Sequence, residues 1–136
     1  MNDRPTSVES EPRELRPCAN PHNCAVDSPE NRDPALRPID FHTTPEVAMN
    51  VIESVLKEHP RTRIVVQGWR YLHAESRSLV FRFVDDVEFL VDESAALIHF
   101  RSASRVGRRD FGVNRRRLLR LTGRIRTRLS ELLPRR

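Results

Sequence analysis

At 136 residues, the chain has room for one domain of a size that can bury a core without metals or disulfides. An apolar share of 38% with 32% charged residues excludes a wholly disordered chain, and no run of about eighteen apolar residues is present to span a membrane. The net charge of +5 hides a basic end on an acidic body: residues 101–136 hold thirteen arginines against two acids, whereas residues 39–100 hold six basic and ten acidic groups. Such a split suits an anionic partner, or else ion pairing inside the fold.

Residues 1–38 contain seven of the ten prolines and no hydrophobic period. Residues 1–16 are expected to be a disordered tail, and they lack the apolar segment of a signal peptide. The protein is therefore expected to be soluble and cytoplasmic. Residues 17–38 should form an irregular segment laid over the domain, since Cys18, Cys24, Val26 and Leu36 give it something to bury. Cys18 and Cys24 are the only cysteines, with His22 between them. Free thiols are the default in a reducing compartment, a disulfide would close a small loop, and a metal site would need a further ligand such as His42. No metal or cofactor is expected.

The single domain is placed at 39–133. Ile39-Asp40-Phe41 reads as a short strand. Thr44-Pro45-Glu46 is a helix start, with an N-cap, proline at the first helical position and an acid in the first turn. Val47, Ala48, Val51, Ile52, Val55 and Leu56 continue it at helical spacing, and Pro60 makes His59 its end. The period then becomes two. Strands are predicted over 62–69 and 71–75, with Gly68 allowing a bend between them. Ser76-Arg77-Ser78 reads as a turn, after which Leu79, Phe81 and Phe83 share one face. Val87, Phe89 and Val91 resume the alternation. Asp85-Asp86 between them is either a tight turn or a kink in one long strand. Ala96, Ile98 and Phe100 carry the last strand into Arg101–Arg117.

That last stretch, RSASRVGRRDFGVNRRR, concentrates more specialised polar residues than any other part of the chain. Asn114 is expected to cap a second helix, whose buried side carries Leu118, Leu121, Ile125, Leu129 and Leu132. Arg116, Arg117, Arg120, Arg124 and Arg128 are expected on its opposite side. Gly123 suggests close packing, and Pro134 should stop the helix. The expected fold is α+β, an antiparallel sheet of about five strands with two helices on one face.

Guanidinium groups bind carboxylate and phosphate in a bidentate manner, and hydroxyl, amide and glycine N–H groups add donors. Arg101, Ser102, Ser104, Arg105, Asp110, Asn114 and Arg115 are therefore candidates for an anion-recognising site, with Asp85, Asp86 and Glu88 in support. The competing reading makes these groups a structural ion-pair network. The leading function is a small non-enzymatic binding or accessory module for an anionic small molecule or a protein partner. One alternative is an enzyme using Asp110 or His99 as a base beside Arg101 and Arg105. Another is nucleic-acid binding through the last helix, although no aromatic residues interleave with its arginines. The Asp-Phe-Gly at 110–112 lacks the other parts of a kinase. His99, Ser102 and Asp110 lack the nucleophile elbow of a hydrolase.

Phe83-Val-Asp85-Asp86-Val-Glu88-Phe89, then Arg101-Ser-Ala-Ser-Arg105-Val-Gly107 and Asp110-Phe-Gly112-Val-Asn114-Arg115-Arg-Arg117, resemble the domain of unknown function family 1499. Pro17-Cys18, Asn23-Cys24 and Ser28-Pro29 resemble that family's cysteine-bearing lead-in segment. Arg108-Arg109 depart from its usual aromatic residue and serine. The resemblance covers about residues 17–129 and implies a shared small α+β domain, with no activity attached.

Overall fold

Alternating burial along residues 71–104 builds the sheet on which the rest of the chain is laid. The computed structural model describes residues 11–107 and 109–133. Its strands are β1 (Cys24–Val26), β2 (Ile39–Asp40), β3 (Thr62–Gln67), β4 (Tyr71–Arg77), β5 (Val84–Asp92) and β6 (Leu97–Ser104). They form one antiparallel sheet in the order β1-β6-β5-β4-β3, and β2 shares the β6 edge with β1. The sixth strand beyond the expected five is β1. Its three residues are too few to show a period, but they pair with Arg101–Ala103.

Helices α1 (Pro45–Glu58) and α2 (Val113–Glu131) pack against this sheet. Thr44 caps α1 by accepting a hydrogen bond from the Val47 amide at 3.2 Å, and His59 closes it, as the sequence implied. Ala48, Met49, Ile52, Val55 and Leu56 of α1 and Leu118, Leu121, Ile125 and Leu129 of α2 are buried. Against them the strands place Leu72, Ala74, Val87, Phe89, Val91, Ile98 and Phe100, one residue in two along each strand.

Several local expectations are corrected. Asn114 does not cap α2. Gly112 holds the cap position at a φ of 83°, which favours glycine, and Asp110 does the capping by accepting from the Gly112 amide at 2.8 Å and the Asn114 amide at 3.2 Å. Asn114 lies one residue inside the helix, fully buried. A Cβ added at Gly123 would meet nothing within 4 Å, so no close packing explains that residue. Pro134 lies outside the described residues, as do Arg108 and part of the expected tail. The chain does bend at Gly68, whose amide donates to Tyr71 O at 2.8 Å between β3 and β4, and a further irregularity falls within β3 between Ile64 and Val66.

Asp85-Asp86 is neither turn nor kink. Both residues pair without interruption inside β5, with Ser104 and Ala103 respectively. The turn lies at Ser78–Phe83: Ser76 and Arg77, expected in the turn, still belong to β4, and the run from Leu79 to Phe83, expected to be strand, forms the loop. In β4 the even-numbered residues face the helices, so a continuing strand would turn Leu79, Phe81 and Phe83 onto the charged face. The chain reverses instead. Ser78 and Phe83 close the loop through Ser78 N to Phe83 O at 3.0 Å and Phe83 N to Ser78 Oγ at 2.9 Å.

Cys18 and Cys24 are joined by a disulfide, not left as free thiols or metal ligands. Their sequence separation of 6 makes the loop short, and β1 starts at the second cysteine. Closing so small a loop stabilises by about 2 kcal/mol. Reduction should therefore lower the melting temperature by roughly 6–10 °C, measured by circular dichroism with and without dithiothreitol. An unchanged melting temperature would show that the bond adds nothing to β1.

Candidate functional site

Strand alternation divides the Arg101–Arg117 stretch between the two faces of the sheet. Ser102 and Ser104 point toward α2, whereas Arg101 points to the other face. On the helix side the polar groups close on one another. Ser102 Oγ donates to Asn114 Oδ1 at 2.6 Å, and Asn114 Nδ2 donates to Ser104 Oγ at 3.0 Å and Asp110 Oδ2 at 2.7 Å. Arg117 donates from the next turn of α2 to Ser102 Oγ, Asn114 Oδ1 and Asp85 Oδ2, at 3.1, 2.9 and 2.8 Å. Asp85, Ser102, Asp110, Asn114 and Arg117 are all buried. The lead-in segment seals the cluster with backbone groups: Asn23 O accepts from Asn114 Nδ2 and Ser104 N, and His22 O accepts from Asp110 N.

The opposite face carries a charged ladder. Arg101 donates to Glu88 Oε2 at 3.2 Å, and Glu88 in turn accepts from the Tyr71 hydroxyl. Arg101 Nε is buried without an acceptor among the described residues. Arg105 takes Asp86 with two nitrogens, at 2.8 and 2.9 Å, and also binds Glu75. His73 Nε2 lies 2.7 Å from Asp86 Oδ1. Burial pushes the Asp86 carboxyl up, but the hydrogen bonds from Arg105 and His73 outweigh it and leave it below its usual range. Glu75 is held down chiefly by its bond to Arg105.

His99 lies on this second face too, 2.9 Å from Asp27, whose hydrogen bond raises the imidazole's affinity for a proton. Ser102 and Asp110 are on the other side of the sheet, so the three groups of a hydrolase triad do not meet. Asp110 has both oxygens engaged in capping α2 and holding Asn114. His59, at the end of α1, is pushed down to about 4 by burial, with Arg120 and Arg117 adding to the effect.

The predicted arginine stripe on α2 is also divided. Arg117 is buried and Arg128 binds Ser54 and Glu58, while Arg126, which lies outside the predicted stripe, donates to the carbonyls of Ala35 and Arg37. Arg115 pairs with Asp33 at 2.7 Å, and Arg116 donates to Phe111 O. Arg120 and Arg124 are exposed. The sequence reading placed Arg117 on the side opposite the buried leucines. Its position three residues after Asn114 and four before Leu121 was the sign that it shares the buried face.

A further basic cluster escaped the sequence reading, because its members come from separate segments: β3 and the residue before it, β4, and the β4–β5 loop. Arg61, Arg63, Arg77 and Arg82, with Thr62, line an open hollow of about 490 Å³ at the end of the sheet where β3 begins and β4 ends. Arg61 and Arg77 are tied together by Arg77 N to Arg61 O at 2.9 Å and Arg61 Nε to Arg77 O at 3.2 Å. Glu75 is the nearby carboxylate, 3.5 Å from Arg63 and 3.6 Å from Arg77, and Arg105 already binds its other oxygen.

The chain belongs to the family described as protein of unknown function (DUF1499), whose model matches residues 14–125. No curated protein and no solved structure matches it. Asp85, Asp86, Glu88, Arg101, Ser102, Ser104, Arg105, Asp110, Asn114 and Arg117, the greater part of the polar residues in the 83–89, 101–107 and 110–117 runs, fall in the two networks above. No helix among the described residues is long and apolar enough to cross a membrane.

Proposed function

We propose that the protein is a small non-enzymatic binding module that recognises an anionic partner through Arg61, Arg63, Arg77 and Arg82. One observation carries this reading: four arginines line a single open hollow, and Glu75, the nearby carboxylate, pairs with only two of them, Arg63 and Arg77. Guanidinium groups presented in this way suit phosphate or carboxylate oxygens. The arginines of the 101–117 stretch are less suited. Arg101, Arg105, Arg115 and Arg117 already hold Glu88, Asp86, Asp33 and Asp85. The proposal therefore moves the recognising groups away from that stretch and leaves Ser102, Ser104, Asp110 and Asn114 a structural part.

A cytoplasmic location belongs with this proposal as an expectation, and the Cys18–Cys24 bond stands against it, because such bonds persist mainly in oxidising compartments. The test is a thermal-shift titration with inorganic phosphate, nucleotides, carboxylates and sulfated sugars. At least one anion should raise the melting temperature of the wild type and of Arg105→Ala, but not of an Arg63→Ala/Arg82→Ala variant. Stabilisation that survives loss of Arg63 and Arg82 but disappears in Arg105→Ala would return the site to the 101–117 stretch.

A further inference from the structure

The loop between β4 and β5 puts three consecutive apolar side chains into solvent. Leu79, Val80 and Phe81 are 71%, 77% and 75% exposed. Isolated apolar residues on a surface are ordinary, but three in a row at a loop tip are not. Nor is the loop a loose one. Its base is closed by the Ser78–Phe83 hydrogen bonds, the Phe81 and Phe83 rings lie 5.6 Å apart, and Arg77 is fastened to Arg61 beneath it.

The tip projects from the same end of the sheet as the arginine hollow, since Arg77 immediately precedes the loop and Arg82 lies within it. The Arg105 amide donates to Val84 O at 3.3 Å, so the loop that follows β6 also leaves from this end. It carries Val106 and Phe111, 44% and 77% exposed. One end of the molecule thus combines an apolar tip with a collar of fixed positive charge. A soluble anion would engage the collar and leave the tip in water. A second copy of this chain could cover the tip symmetrically only by bringing its own arginines against these. An anionic bilayer satisfies both parts, because apolar side chains enter the acyl boundary while arginines hold headgroup phosphates and carboxylates.

Resting on the anion-binding reading above, we infer that the partner is an anionic membrane surface, with Leu79, Val80 and Phe81 inserted and Arg61, Arg63, Arg77 and Arg82 holding the headgroups. Apolar insertion and basic attraction are the two signals that stable peripheral attachment needs together.

The test is sedimentation of the full chain with phosphatidylcholine vesicles, with and without phosphatidylserine. The wild type should sediment with the mixed vesicles, much less with pure phosphatidylcholine, and less as salt is raised. Leu79→Ser/Phe81→Ser should weaken partitioning by about tenfold or more while keeping the native circular dichroism spectrum, because both side chains are exposed. Equal partitioning of wild type and variant would overturn insertion, and equal binding to pure phosphatidylcholine would overturn the role of the collar. If inorganic phosphate raises the melting temperature but no vesicle is bound, the anion site stands and the membrane inference falls. If neither binds, both fall. Self-association that requires Leu79 and Phe81, without vesicle binding, would assign the tip to a second copy instead.

Discussion

Asp85→Ala should unfold at a melting temperature roughly 10–20 °C below that of the wild type, a loss of about 3–5 kcal/mol. Asp85 and Arg117 are both buried and lie 2.8 Å apart, joining β5 to α2. Removing the carboxylate leaves a guanidinium in a dry site with only Ser102 Oγ and Asn114 Oδ1 for company, and neither carries a charge. An uncompensated buried charge is what makes such truncations costly, more than the net value of the pair. Replacing both partners by apolar groups, Asp85→Leu with Arg117→Met, should therefore recover much of the loss. Urea unfolding of the three variants measures it. A single-variant loss below about 1 kcal/mol, the range of exposed pairs, would show that water reaches the pair.

Asn114→Ala is expected to cost about 2–4 kcal/mol, because each buried group left without a partner costs about 1–3 kcal/mol. Asn114 receives the Ser102 hydroxyl and an Arg117 N–H, and it donates to Ser104, Asp110 and Asn23 O. Among the described residues no other side chain touches so many members of this network, and from α2 Asn114 reaches both β6 and the lead-in segment just before β1. Its loss should be felt in the lead-in segment as well as in overall stability. The amides of Ser104 and Asp110 donate to Asn23 O and His22 O, so their hydrogen exchange should quicken more than that of Phe89 or Ile98 in the sheet core. Ser104→Ala, which removes one of these partners from a half-buried position, should cost about 1 kcal/mol. If exchange rises uniformly across the sheet, Asn114 contributes only to global stability and does not fasten the segment.

Much of the architecture was legible from short-range rules. Thr44-Pro45 started α1 and Pro60 ended it, because capping and the steric reach of proline act within a few residues. The apolar phase of Val87, Phe89 and Val91 marked the buried side of β5 in the same way. That phase also held a warning about the candidate site: Arg101 and Ser102 are neighbours in a strand, so their side chains must part to opposite faces. Grouping residues by nearness in sequence overlooked this. The Leu79–Phe81 loop was missed for a related reason, since apolar alternation by itself does not say which face is dry.

Composition, spacing and caps determined the fold class, the position of α1 and the chemical character of the 101–117 stretch. They did not determine its job. Only the tertiary structure decided that Asp85 meets Arg117, that Asp86 meets Arg105, and that Asp110 rather than Asn114 caps α2. It also brought Arg61, Arg63, Arg77 and Arg82 to one end of the sheet, beside an apolar tip. An arginine binds whichever carboxylate the strand register and helix docking bring within about 4 Å, and a charge already neutralised there has little left for a partner. Register and docking depend on contacts between segments far apart in the chain, so the pairing of charges became readable only once those segments had been packed together.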